Sequence, residues 1–410
     1  MSLFDESILE LPFFEPRHRV LAAELVRWVN EHAGLPAQLA ALSPSQRGVH
    51  YTRILGRDGW LRHVLGVDAA PGRRPDLRSL CLIRQALAHF DDLCDFAFAI
   101  HGLACAPLLW WGDEAAGHES FAALARGERI GSLALSEAHA GSNLAAVETS
   151  ASRTDAGYAI RGSKAWVSNA DIADFHCVLA RTGEGPGALG LSLLHVPSGS
   201  VGLAASEPVA LLAPRAFGSL AFVDCRLGHS ALIGQAGMGY RYAMEILDFY
   251  RVTVAAAALG FCRRAADESI TWARNRRVFG SPLADMQITK DKLSGMAVYL
   301  DAAALLTARA AWEFDVGSGA LTQPASIAKL YATEEAQRVI DDALQLFGAA
   351  GLVQGSTTEQ LYRQIRSLRI YEGTSEIQKI IIAGGMAKQV SRPRLQVAAP
   401  SGSAQLAQST

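Results

Sequence analysis

The spacing of apolar residues along this chain changes period twice, and that pattern restricts the fold more than any other feature. From about residue 14 to 111 the spacing is helical, as in Leu21, Leu25, Trp28 and Val29, with a stop at Asn30 to Gly34. Further helices are expected over 77–96 and 97–111, the last almost wholly apolar. From about 131 to 233 the segments become short and β-branched. Phe175 to Leu179 and Ser219 to Val223 are examples, with turn clusters at Asp155-Ala156-Gly157 and Glu184-Gly185-Pro186-Gly187. Helical spacing returns at Gly239, with helices expected over 239–276, 285–317, 324–348 and 357–369 and another after Thr374. Close-set short strands suggest a small barrel or sandwich, and long helices with short loops suggest a bundle. The chain is therefore read as α+β in three parts: 1–130 helical, 131–235 a β domain and 236–392 a helical bundle. Residues 393–410 read as a disordered tail, and 68–75 as a loop.

Composition narrows the function classes. Half of the residues are hydrophobic and 19% are charged, which excludes a disordered chain. A net charge of −2 supplies no basic face for nucleic acid and no electrostatic hold on a membrane. Six scattered cysteines, with no CxxC pair and no zinc-like spacing, read as buried thiols in a reducing compartment, so no metal site is expected. No apolar run reaches the roughly 18 residues of a bilayer span. The acidic start Met1-Ser2-Leu3-Phe4-Asp5-Glu6 resembles neither a secretory signal nor a transit peptide. A cytoplasmic protein is expected.

Five segments carry chemistry. Ser136-Glu137-Ala138-His139-Ala140-Gly141-Ser142-Asn143 opens the β region and Lys164-Ala165-Trp166-Val167-Ser168-Asn169 lies within it. Arg276-Arg277-Val278-Phe279-Gly280 ends one long helix, and Gln345-Leu346-Phe347-Gly348-Ala349-Ala350-Gly351 ends another. Tyr371-Glu372-Gly373-Thr374-Ser375-Glu376 begins the last.

In this order and spacing the chain resembles the acyl-CoA dehydrogenase family over about residues 80–390. The resemblance implies a helical domain, a middle β-barrel and a C-terminal four-helix bundle. It implies FAD held between barrel and bundle near a subunit interface, in a homo-oligomer, dimer or tetramer. The reaction implied is α,β-dehydrogenation of an acyl-CoA thioester to the trans-2-enoyl product, with an electron-transferring flavoprotein as acceptor.

Residue by residue, Glu372 matches the base that takes the α-proton, a role that needs a carboxylate within hydrogen-bond reach. Alone, it reads equally as a helix-start glutamate. Relatives that place the base elsewhere have Tyr250 at that position here, which leaves Asp248 as a minor rival. Ser136, Trp166 and Ser168 match positions against the flavin ring, where donors tune a cofactor; a tryptophan in a strand is otherwise an ordinary core residue. Ser142 matches a position near the thioester and cofactor. Arg276 and Phe279 match the grip on the neighbouring subunit's FAD, where an arginine fork suits pyrophosphate. Gln345 and Gly348 match an adenine and pyrophosphate loop. Thr374 and Glu376 match cofactor contacts at a helix N-terminus, or serve as capping and surface residues. Arg251, with Tyr371 and Gly373, matches the substrate side; Arg251 reads equally as a salt-bridge partner.

The chain also departs from the family pattern. Ala138 stands where proline is frequent, and His139 follows it in a loop. Val278 replaces a polar residue, Ala349 and Ala350 loosen the glycine turn, and Phe217 replaces a small polar residue in a shortened stretch. The usual segment near 65–76 is not recognisable. A nonstandard substrate is therefore an alternative, with the acyl group on an acyl or peptidyl carrier protein of secondary metabolism. A flavin oxidase or monooxygenase on the same fold is another, weakened by the intact Glu372 motif. A non-enzymatic helical interaction protein is the third.

Overall fold

A computed structural model of the protein describes residues 3–66, 74–112, 121–317 and 321–390. Most of the expected 68–75 loop and all of the expected 393–410 tail lie outside the described residues.

The N-terminal helices begin where side chains satisfy their free amides. Helix α1 (Pro16–Glu31) and helix α2 (Pro44–Arg57) both start with proline, and Ser43 and Gln46 form a capping box on α2. Helix α3 (Leu77–Phe90) is capped by Asp76, whose carboxylate accepts from the Ser79 amide at 2.8 Å. The expected 77–96 helix is broken. Asp91 is extended, at φ −160° and ψ 133°, and helix α4 (Asp92–Trp111) starts after it. The Asp91 carboxylate takes the Leu93 and Cys94 amides at 2.9 and 3.2 Å, so the boundary comes from a cap and not from a change in apolar period. Contrary to the expectation that no segment reaches spanning length, α4 is long and apolar enough to cross a membrane. It is nevertheless 78% buried within the protein, as a core helix.

Strands β1 (Gly131–Ala134), β2 (Ser150–Thr154), β3 (Gly157–Ser168), β4 (Phe175–Arg181), β5 (Leu191–Pro197), β6 (Leu203–Ala205), β7 (Phe217–Gly228) and β8 (Leu232–Ile233) make one mixed sheet. Its order is β6-β7-β3-β2-β4-β5-β8, with β1 parallel on β4, Gly131 opposite Phe175. Side chains from β1, β2, β3, β4, β5 and β7 share one apolar cluster, including Ala134, Ile160, Val178, Leu194 and Phe222, as in a barrel interior. The alternate residues of β4 and β5, such as Cys177, Leu179 and Leu193, join the helical core instead. The sheet is thereby pinned to the helices.

The C-terminal helices are α5 (Gly239–Asn275), α6 (Gln287–Asp315), α7 (Thr322–Phe347), α8 (Thr357–Leu368) and α9 (Ser375–Val390). Every residue of α5 from Phe249 to Arg263 is buried, which makes it the central helix. Gly260 allows the closest approach: a Cβ there would lie 2.3 Å from the Gln85 carbonyl oxygen of α3. Trp272 of α5 stacks on Phe347 of α7 at 4.5 Å and donates to the Leu346 carbonyl at 3.0 Å. The ends of these two helices are thus held together. All six cysteines are buried and free, as expected.

Candidate active site

A cavity of about 140 Å³ lies where α4, β1, β3 and the turn before α9 meet. Phe96, Ala99, Ile100 and Leu103 line it at spacings of three, four and seven, a single face of α4. Ser136, Trp166 and Ser168 of the β region form another wall, and Tyr371 and Glu372 a third. Five of the residues selected from sequence therefore meet in one place.

Glu372 occupies a left-handed turn, at φ 53°, followed by Gly373 at φ 88°. A non-glycine residue there is strained, and such strain persists only where the surroundings hold it. Here three side chains do so. Arg251 Nε donates to the Glu372 carbonyl at 3.3 Å; Lys329 Nζ and Gln378 Nε2 each donate to the Gly373 carbonyl at 2.8 Å. The Glu372 carboxylate keeps one oxygen, Oε2, buried without a hydrogen-bond partner. Burial raises its pKa above the ordinary carboxylate value, opposed by the positive charges of Arg84, Arg251 and Lys329. A desolvated carboxylate with an unpartnered oxygen, on a residue that lines a cavity, has the properties of a general base.

The rival base Asp248 is engaged elsewhere. Its carboxylate pairs with Arg251 and accepts from the Thr322 hydroxyl at 2.5 Å. Tyr250 is buried, with its hydroxyl unpartnered, and stacks on Trp110. Arg251 therefore combines the two roles left open for it: a salt bridge to Asp248 and a hydrogen bond that holds the Glu372 turn.

The opposite wall is built around an irregularity. The pairing of β3 with β7 shifts between Lys164 and Val167, and Trp166 there has φ 59°. That local bulge leaves Trp166 58% exposed beside the cavity. The hydroxyls of Ser136 and Ser168 have no hydrogen-bond partner among the described residues. An exposed indole between two free hydroxyls suits a planar heterocycle with hydrogen-bonding edges. Beneath this wall Lys164 is buried and donates to Glu137 at 2.8 Å and to the Leu135 carbonyl at 3.0 Å. Burial pulls the Lys164 ammonium down to about 8, while Glu137, despite its burial, is held at about 2 by the Glu148 and Thr149 amides and by Lys164. This pair ties the segment entering Ser136 to the strand bearing Trp166, as does the Ala165 amide donating to the Ser136 carbonyl at 3.0 Å. His139 is exposed, 3.7 Å from both Glu137 and Glu148.

The remaining selected residues lie away from the cavity. Ser142 is on an exposed loop. Arg276 and Phe279 follow the end of α5, and Gln345 and Gly348 lie at the end of α7, so the Trp272–Phe347 contact places all four at one end of the bundle. Phe279 is 96% exposed at φ 52°. Nothing lies within 4 Å of a Cβ built on Gly348, which leaves open space above that turn. The Thr374 hydroxyl accepts from the Ile377 amide at 3.4 Å, a capping contact at the start of α9, and Glu376 is exposed in its first turn.

Sequence reasoning did not select Arg84, Asp95, Arg215, Asp92 or Lys329. Arg84 forks onto Asp95 at 2.8 and 2.7 Å, and Arg215 onto Asp92, all four buried. Charged residues inside otherwise apolar helices were the available signal for Arg84, Asp92, Asp95 and Lys329; Arg215, in an irregular segment, had none.

Residues 237–387 match the acyl-CoA dehydrogenase C-terminal domain and residues 132–225 the acyl-CoA dehydrogenase middle domain. The chain belongs to the acyl-CoA dehydrogenase family, whose members bind FAD, and is an oxidoreductase of that class. It is 37% identical over 284 residues to the mitochondrial short-chain specific acyl-CoA dehydrogenase of Sus scrofa, a match covering 69% of each chain. It is 33% identical over 322 residues to a 3-(aryl)acrylate reductase of Clostridium sporogenes, covering 77% of this chain and 85% of that one. Among solved structures, a glutaryl-CoA dehydrogenase of Mycobacterium smegmatis in complex with FADH2 superposes with a TM-score of 0.80 at 25% identity, covering 92% of this chain and 96% of that one.

Proposed function

We propose that the protein oxidises the α–β bond of an acyl thioester to the trans-2-enoyl product, with Glu372 as the α-proton base. The observation that carries this reading is that Glu372, whose buried Oε2 has no hydrogen-bond partner, lines the same cavity as Ser136, Trp166 and Ser168. The α-proton moves to the Glu372 carboxylate as the carbon–carbon double bond forms. FAD, when bound, would supply the acceptor for the β-hydrogen and its electron pair. Ser136 and Ser168 would offer it hydroxyl donors and Trp166 a flat aromatic surface. Arg251, Lys329 and Gln378 hold the base in position through its own backbone carbonyls. The apolar face of α4 keeps water from the reacting carbons.

Arg276, Phe279, Gln345 and Gly348 complete the cofactor site of a second subunit in a homo-oligomer. The exposure of Phe279 supports this, since large apolar side chains are seldom so open unless a partner covers them. An acyl-CoA is the primary substrate class; a carrier protein presents the same phosphopantetheine arm. An electron-transferring flavoprotein is the acceptor.

Anaerobic addition of acyl-CoAs to the yellow holoprotein tests the reading. One chain class is expected to bleach the flavin in wild type and not in Glu372→Gln, with FAD retained. Bleaching that survives in the variant removes Glu372 from the role.

A further inference from the structure

Arg84 is the one cation on the wall of this cavity among the described residues; it shares the lining with the apolar Phe96, Ile100, Leu103 and Leu247 and lies within electrostatic reach of Tyr371 and Glu372. It is buried, at 2% exposure. Its Nε and Nη2 reach Asp95 at 2.8 and 2.7 Å, and its Nη1 reaches the Thr253 hydroxyl at 2.9 Å. A guanidinium has five N–H donors, so three are used and two remain. Buried ion pairs cost desolvation, and an apolar pair of similar volume is commonly as stable or more so. Retaining Arg84 and Asp95 beside an apolar chamber is therefore not explained by stability. Phe96 stacks on Phe217 at 5.6 Å, and Arg215 lies over Phe96 and over Tyr371 at 5.1 and 5.7 Å, which backs that wall with a second buried pair, Arg215–Asp92.

We infer that the acyl group carries a neutral oxygen, hydroxyl or keto, that accepts the spare N–H groups of Arg84. This rests on the acyl-thioester reading above. Asp95 already balances the Arg84 charge, so a carboxylate would enter the buried site uncompensated. A neutral acceptor gains the hydrogen bonds without that cost, and its apolar isostere leaves buried donors unpaired.

The test is kcat/KM for butyryl-, octanoyl-, 4-hydroxybutyryl-, 4-oxopentanoyl- and glutaryl-CoA, in wild type and Arg84→Lys. The lysine keeps a cation beside Asp95 and Glu372 but loses the fork. Wild type is expected to prefer the hydroxy or keto substrate over butyryl-CoA by about tenfold or more. Arg84→Lys should level that preference while leaving the pH dependence of butyryl-CoA turnover in place. If the lysine variant does not fold, the neutral pair Arg84→Gln with Asp95→Asn carries the same expectation for the substrate preference. Equal or better use of butyryl- or octanoyl-CoA by wild type overturns the inference, as does a preference for glutaryl-CoA. A moved pH limb with the preference intact would make Arg84 a modulator of Glu372 alone. Failure of every thioester to bleach the bound flavin overturns the dehydrogenase reading itself, and this inference with it.

Discussion

Glu372 combines a left-handed backbone, a desolvated carboxylate and three cations that pull against that desolvation. Its raised pKa sets the direction of two predictions. A base must be ionised to act, so turnover should rise with pH along a limb lying above the ordinary glutamate value of about 4.3. Lys329→Met removes one opposing cation, so the limb should move to higher pH; a kcat–pH profile reads this directly. The second prediction concerns stability. A carboxyl whose folded pKa is raised is accommodated when protonated and costs stability as pH rises through the unfolded value and towards the folded one. At neutral pH Glu372→Gln should therefore melt higher than wild type, by roughly 1–2 °C for each kcal/mol relieved, and the gap should close in acid. Thermal melts at two pH values with equal FAD loading decide it.

At the scale of elements, the site depends on how three helices and one bulged strand meet. Helix α4 opens with Asp92 and Asp95, where the helix dipole favours carboxylates, and each receives an arginine from another element. Arg84 also reaches Thr253 of α5, where α3 packs hard on α5 at Gly260. Gly260→Ala should wedge these helices apart and cost about 1–3 kcal/mol, seen as a lower denaturation midpoint. On the other wall, Lys164→Met would strand Glu137 as an unpaired buried charge. A loss of about 3–5 kcal/mol is expected in chemical denaturation, together with weaker FAD retention, because the same pair sets Ser136 against Trp166.

Among the described residues, more of the exposed large apolar side chains belong to the C-terminal helical region than to the rest of the chain, including Phe279, Leu352, Val353 and Ile380. A homo-oligomer that covers Phe279 should run in light scattering as a multiple of 43.7 kDa, and Phe279→Asp should shift it towards monomer and lower its FAD content. A monomer with full FAD content would sink that assembly. The order helices, strands, helices was legible in residue spacing, because burial of one face imposes period 3.6 or 2 locally. The C-terminal helices fall within a few residues of the expected ranges for the same reason. The break at Asp91 was not legible as a change of period: a cap interrupted one continuous apolar run. Tyr371, Glu372, Ser136, Trp166 and Ser168 were legible because contiguous motifs carry them. Arg84, Arg215, Asp92, Asp95 and Lys329 were not, since each owes its role to a partner on another element. Local order and motif chemistry are written along the chain, in nearest-neighbour periodicity. Which charges are buried, which oxygen of Glu372 is left free and how large the cavity is depend on residues far apart in the chain, such as Arg84 and Glu372, 288 positions apart on one cavity lining, and only packing could decide them.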